Sequence, residues 1–186
     1  MNVKNLVLIP LLIIVVVAMS GCIVDGGNPF EKNGVKFSYP DGWQEVKSVS
    51  EGSIAAIAHG NDSSISILIQ QVPSEYGTTL DEAYANTNSK LQLMPGYVNV
   101  QENSTTIDNK NYKLHRYIVS DQTGAQKEHV ASWVKMSDGK LYVLLYSTPV
   151  ENYEQYKGAY DNVVSSFALE SDKENSIIDQ VKDMIK

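Results

Sequence analysis

The stretch Gly34-Val35-Lys36-Phe37-Ser38-Tyr39-Pro40-Asp41-Gly42-Trp43 carries the clearest structural signal in this chain of 186 residues. Val35, Phe37 and Tyr39 alternate with polar residues, which predicts a half-buried strand. Pro40-Asp41-Gly42 predicts a turn, because proline presets φ and glycine accepts positive φ. Trp43 then begins a second strand. We therefore expect the folded domain to open at Gly34.

Further strands follow on both sides of a helix. Apolar runs bounded by Gly, Asn, Asp and Ser predict strands at 54–59, 65–72, 97–107, 112–120, 128–136 and 141–147. The turns between the last four fall at 108–111, 121–124 and 137–140, as expected for an antiparallel meander. Segment 141–147 is apolar on both faces, which predicts a central strand that is covered on both sides.

Two helices are predicted to cover this sheet. Thr79-Leu80-Asp81-Glu82 matches a capping box, and Pro95-Gly96 is expected to stop that helix. A second helix is expected to begin near Pro149. It carries an aromatic and aliphatic stripe that predicts packing on the sheet: Tyr153, Tyr156, Tyr160, Val163, Val164 and Phe167.

The order of strands, helix, meander and helix predicts an α+β domain in which helices cover a mostly antiparallel sheet. After this domain, residues 170–186 have the spacing of a C-terminal amphipathic helix that starts with a capping box at Ser171. This helix either docks on the sheet or awaits a partner, and docking is the simpler interpretation.

The amino terminus resembles a lipoprotein signal. Lys4 precedes an apolar run at 6–19, and Met19-Ser20-Gly21-Cys22 follows directly. The run is long enough for a secretory signal and short for a membrane span. We predict cleavage after residue 21 and thioether lipidation of Cys22, the single cysteine of the chain. The alternative is an uncleaved membrane anchor with an incidental cysteine.

Composition gives expectations about the tether, the disulfides and the class of partner. Residues 22–33 contain Asp25-Gly26-Gly27-Asn28-Pro29 and are expected to form a flexible tether. With one cysteine the domain has no internal disulfide, so its core alone must stabilise it. The formal net charge of −7 argues against a nucleic-acid partner and is a simple cause of solubility.

The opening segment at 34–43 resembles the entry strand and turn of PsbP-like proteins. Tyr160-Asp161-Asn162-Val163-Val164-Ser165-Ser166-Phe167 resembles their last helix. That family includes the extrinsic subunit of photosystem II and many small bacterial and archaeal lipoproteins. The resemblance covers residues 34–169 and implies an α/β/α sandwich with a central, mostly antiparallel sheet. It also implies a non-catalytic binding or assembly factor, and it transfers no functional residue.

Few residues indicate site chemistry. His115 and His129 are predicted on one sheet face, where they are weak candidates for a metal site that lacks a third ligand; packed histidines without metal are the simpler interpretation. Asn61 and Asn103 begin glycosylation sequons that also arise by chance. No catalytic signature, phosphate loop or dinucleotide fingerprint occurs, so we expect neither a cofactor nor an enzyme.

Two functions follow from this pattern. The first is a lipid-anchored module on the extracytoplasmic face of the cell membrane that binds a protein partner at the cell surface. The second is an exported small-ligand receptor or hydrolase, and a structural envelope protein is a third possibility. A flat, exposed apolar patch would favour the module, whereas a deep pocket with convergent polar groups would favour the receptor or hydrolase.

Overall fold

The computed structural model describes residues 27–48, 50, 52–60, 62–121 and 123–172. Within these residues the chain forms ten strands and two α-helices. In chain order they are β1 (Asn28–Lys32), β2 (Val35–Tyr39), β3 (Trp43–Glu45), β4 (Ser53–His59), β5 (Asp62–Gln71), α1 (Leu80–Leu91), β6 (Val98–Ile107), β7 (Lys110–Ser120), β8 (Gln126–Lys135), β9 (Leu141–Pro149), α2 (Tyr153–Ser166) and β10 (Ala168–Leu169).

A seven-stranded antiparallel sheet forms the middle layer, with the order β3-β4-β5-β9-β8-β7-β6. The central strand is β9. It corresponds to the strand predicted at 141–147, which we expected to be covered on both faces. That prediction is confirmed, since Leu144 and Tyr146 are fully buried on one face, and Leu141 and Val143 are buried on the other.

The two helices cover opposite faces of this sheet. Tyr160 and Val163 of α2 belong to the main core cluster together with Leu144 of β9. Ala83 of α1 belongs to a second cluster with Trp133 and Val143. The predicted α+β class and α/β/α layering are therefore confirmed.

The tether predicted for 22–33 is wrong over Asn28–Lys32, which form β1. This strand pairs antiparallel with β2, and β10 pairs with the other edge of β2 to complete a three-stranded sheet. The buried ring of Phe30 stacks on Phe37 with centroids 4.6 Å apart. One aromatic side chain in a polar segment gives no alternating pattern, so the sequence did not reveal the strand. The domain begins at Asn28 and not at Gly34.

Both helices also have boundaries that differ from the predicted ones. The capping box at Thr79 and Glu82 is present, but α1 ends at Leu91 instead of continuing to Pro95. Pro149 ends β9 in an extended conformation, and a single 3₁₀ turn precedes α2, which begins at Tyr153. In each case the helix boundary lies about one turn away from the proline.

The lipidation residue Cys22, the signal at 1–21, the first residues of the tether, Asn61 and residues 173–186 of the C-terminal helix lie outside the described residues. Among the residues that are described, no helix is long and apolar enough to span a membrane.

The hydroxyl of Tyr160 connects α2 to the sheet. It is buried and lies within hydrogen-bond distance of Ser132 Oγ and, at 3.1 Å, of the Leu144 carbonyl oxygen.

Tyr160→Phe should lower the free energy of unfolding by about 1–2 kcal/mol, because Ser132 would lose its buried partner. Tyr156→Phe is the matched control: its hydroxyl accepts from exposed Gln155, so the loss should stay within about 0.5 kcal/mol. Equal losses in urea unfolding of the two variants would contradict this role for Tyr160.

Candidate functional site

The predicted histidine pair lies on the α1 side of the large sheet. Tyr117 of β7 pairs with His129 of β8, and His115 lies two residues along β7 on the same face. The Tyr117 ring contacts both imidazoles, with centroids 4.8 Å from His115 and 5.1 Å from His129. The expected register is therefore confirmed, and the two histidines belong to one aromatic column.

Each imidazole already has a hydroxyl partner. His115 Nε2 lies 3.2 Å from the Tyr97 hydroxyl, and His129 Nδ1 lies 2.8 Å from Ser147 Oγ. Within the described part of the chain, no group of three or more His, Cys, Asp or Glu side chains could hold a metal ion. Packing and hydrogen bonding account for this pair.

Burial lowers the pKa of both histidines. The pKa of His129 falls to about 4, mainly because desolvation disfavours the imidazolium, with a smaller contribution from the charge of Lys127. Desolvation also lowers the pKa of His115, and the nearby Glu102 carboxylate partly offsets that effect. Both side chains are therefore neutral at pH 7.

His129 should make the domain sensitive to acid. Its pKa is about 6.5 in an unfolded chain and about 4 in the fold, so the unfolded state binds more protons between these values. Stability is thus fully present above pH 6.5 and decreases as the pH falls towards 4. We expect wild type to lose about 2 kcal/mol more than His129→Gln between pH 7 and pH 4 in urea unfolding. Parallel pH profiles for the two proteins would show that His129 does not titrate in this way.

A cleft lies at the other end of the sheet. It has a volume of about 700 Å³, and its lining includes Asp138, Lys140 and Tyr142. The Tyr142 hydroxyl donates to Asp138 Oδ2 at 2.8 Å, and the backbone N–H of Lys140 donates to Asp138 Oδ1 at 3.0 Å. These groups bond to one another within a single turn, so they do not converge on a substrate.

An exposed apolar surface lies where α1 connects to β6. We call it the 93–100 surface and define it by Leu93, Met94, Val98 and Val100, all of them exposed; Leu93 is 85% exposed. Among the described strands, β6 has a single neighbour, β7, and therefore forms an edge of the sheet. The ladder shifts register between Asn99 and Gln101, so Val100 lies in a β-bulge.

Tight packing holds this surface in place. Gly96 has a φ of 66°, and a side chain there would collide with Ser120. The backbone N–H of Ser120 donates to the Pro95 carbonyl oxygen at 2.8 Å. The Tyr97 hydroxyl contacts His115, which connects the 93–100 surface to the aromatic column. The exposure of Leu93 and Met94 is thus a consequence of a well-packed turn.

Sequence reasoning missed the 93–100 surface. The sequence predicts a helix that continues to Pro95 and so includes Leu93 and Met94, and it predicts an ordinary strand of the meander at 97–107. The early end of α1 turns Leu93 and Met94 outward, and the edge position of β6 exposes Val98. An absence of charge from 92 to 101 is the one signal that could have identified this segment.

The sequon residue Asn103 lies in the exposed edge strand β6. Its Oδ1 accepts the backbone N–H of Ser104 at 2.7 Å. The side chain therefore lies at an accessible surface, and its modification stays a prediction.

Comparison with known proteins gives consistent matches over most of the chain. The family model described as PsbP matches residues 26–169. CyanoP of Thermosynechococcus vestitus is 26% identical over 178 residues, which cover 85% of this chain and 94% of that protein. CyanoP of Synechocystis sp. is 27% identical over 150 residues, with 73% and 78% coverage.

Solved structures show the same fold. The solution structure of cyanobacterial PsbP (CyanoP) from Synechocystis sp. has a TM-score of 0.53 at 23% identity and covers 80% of this chain and 95% of its own. The crystal structure of LpqN, involved in cell envelope biogenesis of Mycobacterium tuberculosis, has a TM-score of 0.54 at 14% identity, with 79% and 87% coverage.

Proposed function

Because this chain belongs to the PsbP family, we propose that it is a non-catalytic module that binds a protein partner at the outer face of a membrane. The 93–100 surface is the observation that carries this proposal. Leu93, Met94, Val98 and Val100 are exposed apolar residues within eight positions of the chain, on a packed turn and an edge strand. Exposed apolar residues that are grouped in this way are typical of a protein-binding surface. A fold alone does not imply a function, so the argument depends on this surface.

The partner docks mainly through side-chain contacts. An edge strand can accept a further strand from a partner, but the bulge at Val100 interrupts the ladder beside the apolar residues. The regular part of β6 beyond the bulge is polar from Gln101 to Thr106. Apolar side chains therefore provide the contact at 93–100, while the polar half of β6 forms its rim.

The lipid anchor on Cys22 would hold this surface near the membrane. Five residues separate Cys22 from Asn28, so the linker reaches at most about 20 Å. The side chain of Asn28 donates to Asp41 Oδ1 at 3.2 Å, beside the turn that leads into β3. From β3, one row of directly paired residues crosses the whole sheet to β6. In order across the strands, the row consists of Gln44, Ala58, Ser66, Ser147, His129, Tyr117 and Asn99. Asn28, the first residue of β1, and the 93–100 surface therefore lie at the same end of the domain.

The alternative of an exported small-ligand receptor or hydrolase has less support. In the 700 Å³ cleft, Asp138, Lys140 and Tyr142 bond to one another, as described above. An acidic chain with a net charge of −7 also has no general attraction for nucleic acid. The binding module therefore accounts for more of the described surface than an enzyme does.

Charge on the 93–100 surface should abolish partner binding without unfolding the domain. We expect Leu93→Glu and Val98→Glu each to lower partner recovery at least tenfold in affinity purification of the full-length protein from its native membranes. Both side chains are exposed, so the free energy of unfolding should change by about 0.5 kcal/mol or less. Val46→Glu is the matched control, because Val46 is an exposed apolar residue beyond the opposite edge strand. Equal recovery with all three variants would overturn the proposal.

Lipidation should be required for membrane attachment. Cys22→Ser removes the thiol that carries the lipid, and the described fold begins only at Asn28. We expect the variant to leave the membrane fraction while its domain keeps the wild-type unfolding midpoint. A variant that stays in the membrane fraction after a high-salt wash would show that an uncleaved apolar segment is the anchor.

A further inference from the structure

Arg116 is the single arginine of a chain that contains fourteen lysines, and its environment differs from that of the lysines. Its guanidinium lies over the Tyr153 ring, 3.7 Å from the centroid. Its Nε donates to Glu128 Oε1. The Glu128 carboxylate is on the buried side of this pair, with a side-chain exposure of 4%, whereas Arg116 keeps 28%. Stacking and the ion pair together hold the guanidinium in one orientation.

The arginine has more donors than Glu128 can use. A guanidinium has five N–H groups in a planar fork, and the bond to Glu128 Oε1 engages the one on Nε. The Arg116 side chain keeps 28% exposure, and neither Nη atom is among the buried polar atoms that lack a partner in the described part of the chain. A lysine at this position would have lost this planar fork, because an ammonium is a single point charge.

A small pocket of about 120 Å³ adjoins Arg116 between β6 and α2. Gln101 and Asn103 line it from the edge strand, and Lys157 lines it from the helix. Asp161 also lines the pocket, but its carboxylate is paired with Lys157. The apolar side chains of Leu114 and Val130 complete the lining, so amide, ammonium, guanidinium, carboxylate and apolar groups surround a space about four water molecules in size.

This pocket lies beside the 93–100 surface. Val98 pairs with Ile118, and Gln101 pairs with Arg116, so these residues of β6 share the sheet face that α2 covers only in part. A chain that contacts Val98 would reach the pocket within one or two residues, since a strand rises about 3.4 Å per residue.

We propose that the pocket between β6 and α2 binds a carboxylate side chain of the protein partner through the Nη groups of Arg116, with Lys157 as a supporting charge. The inference rests on the proposed function and deepens it, because it specifies a partner segment in which an acidic residue adjoins apolar ones. A carboxylate matches the planar fork of arginine with two parallel hydrogen bonds. The pocket has room for a carboxylate and a short stem, and it is too small for a drug-sized ligand.

The test uses the single arginine as its own reporter. In ¹⁵N-labelled protein, Arg116 gives the only arginine Nε–H resonance, and N-acetylglutamate methylamide serves as the probe. We expect a saturable shift of this resonance and of the Gln101 and Asn103 amides, with a dissociation constant of about millimolar order. The matched N-acetylglutamine methylamide has the same shape without the charge and should bind at least fivefold more weakly. Equal shifts with both probes, or none with either, would overturn the carboxylate site.

Two variants separate recognition from folding. Arg116→Lys keeps a cation beside Glu128 but loses the fork, so it should weaken probe binding at least fivefold, as followed by the Gln101 amide. Lys157→Gln should weaken it two- to fourfold. If Arg116→Lys lowers the unfolding midpoint and leaves probe binding unchanged, Arg116 acts only in packing and the proposal is wrong.

Partner recovery distinguishes this inference from the proposed function. Loss of the partner in both Leu93→Glu and Arg116→Lys supports both. If Leu93→Glu loses the partner and Arg116→Lys recovers it at the wild-type level, the result supports the binding module and overturns the carboxylate site. Wild-type recovery in both variants overturns both.

Discussion

The burial of β9 on both faces is the constraint on which the rest of the structure depends. Leu144 and Tyr146 pack under α2, while Leu141 and Val143 pack under α1. A strand with apolar side chains on both faces must be covered by two layers, because exposure of either face would lose its burial free energy. The three-layer order follows, and so does the central position of β9 between β5 and β8.

The same constraint determines where function can arise. Residues near β9 are mostly buried in packing, and a polar neighbour such as Ser132 bonds to α2. Free donors and exposed apolar side chains occur at the edge of the sheet, on β6 and on the part of β7 that α2 does not cover. The 93–100 surface and the Arg116 pocket both lie there, which is typical of modules that bind partners through a rigid edge.

Strong periodic patterns made much of the fold predictable. The alternation in β2, the capping box of α1 and the register that brings Tyr117 opposite His129 all follow from local rules, and the structure contains each of them. Prediction failed where one buried side chain decided the outcome. Residues 28–32 have the composition of a tether, yet they form β1 because the ring of Phe30 stacks on Phe37. The turn that follows the end of α1 at Leu91 likewise has a long-range contact, between Gly96 and Ser120.

The sequence by itself predicted the α+β class, the antiparallel meander and the two covering helices, because these depend on patterns within about ten residues. Lipidation of Cys22 stays a prediction. Tertiary structure alone decided which apolar residues remain exposed and which side chains meet. Leu93 and Val98 resemble core residues in the sequence, but the end of α1 at Leu91 leaves Leu93 in solvent and the edge position of β6 leaves Val98 there. Arg116 acquires its pocket only when β6, β7 and α2 come together, since contacts between distant segments leave no local pattern.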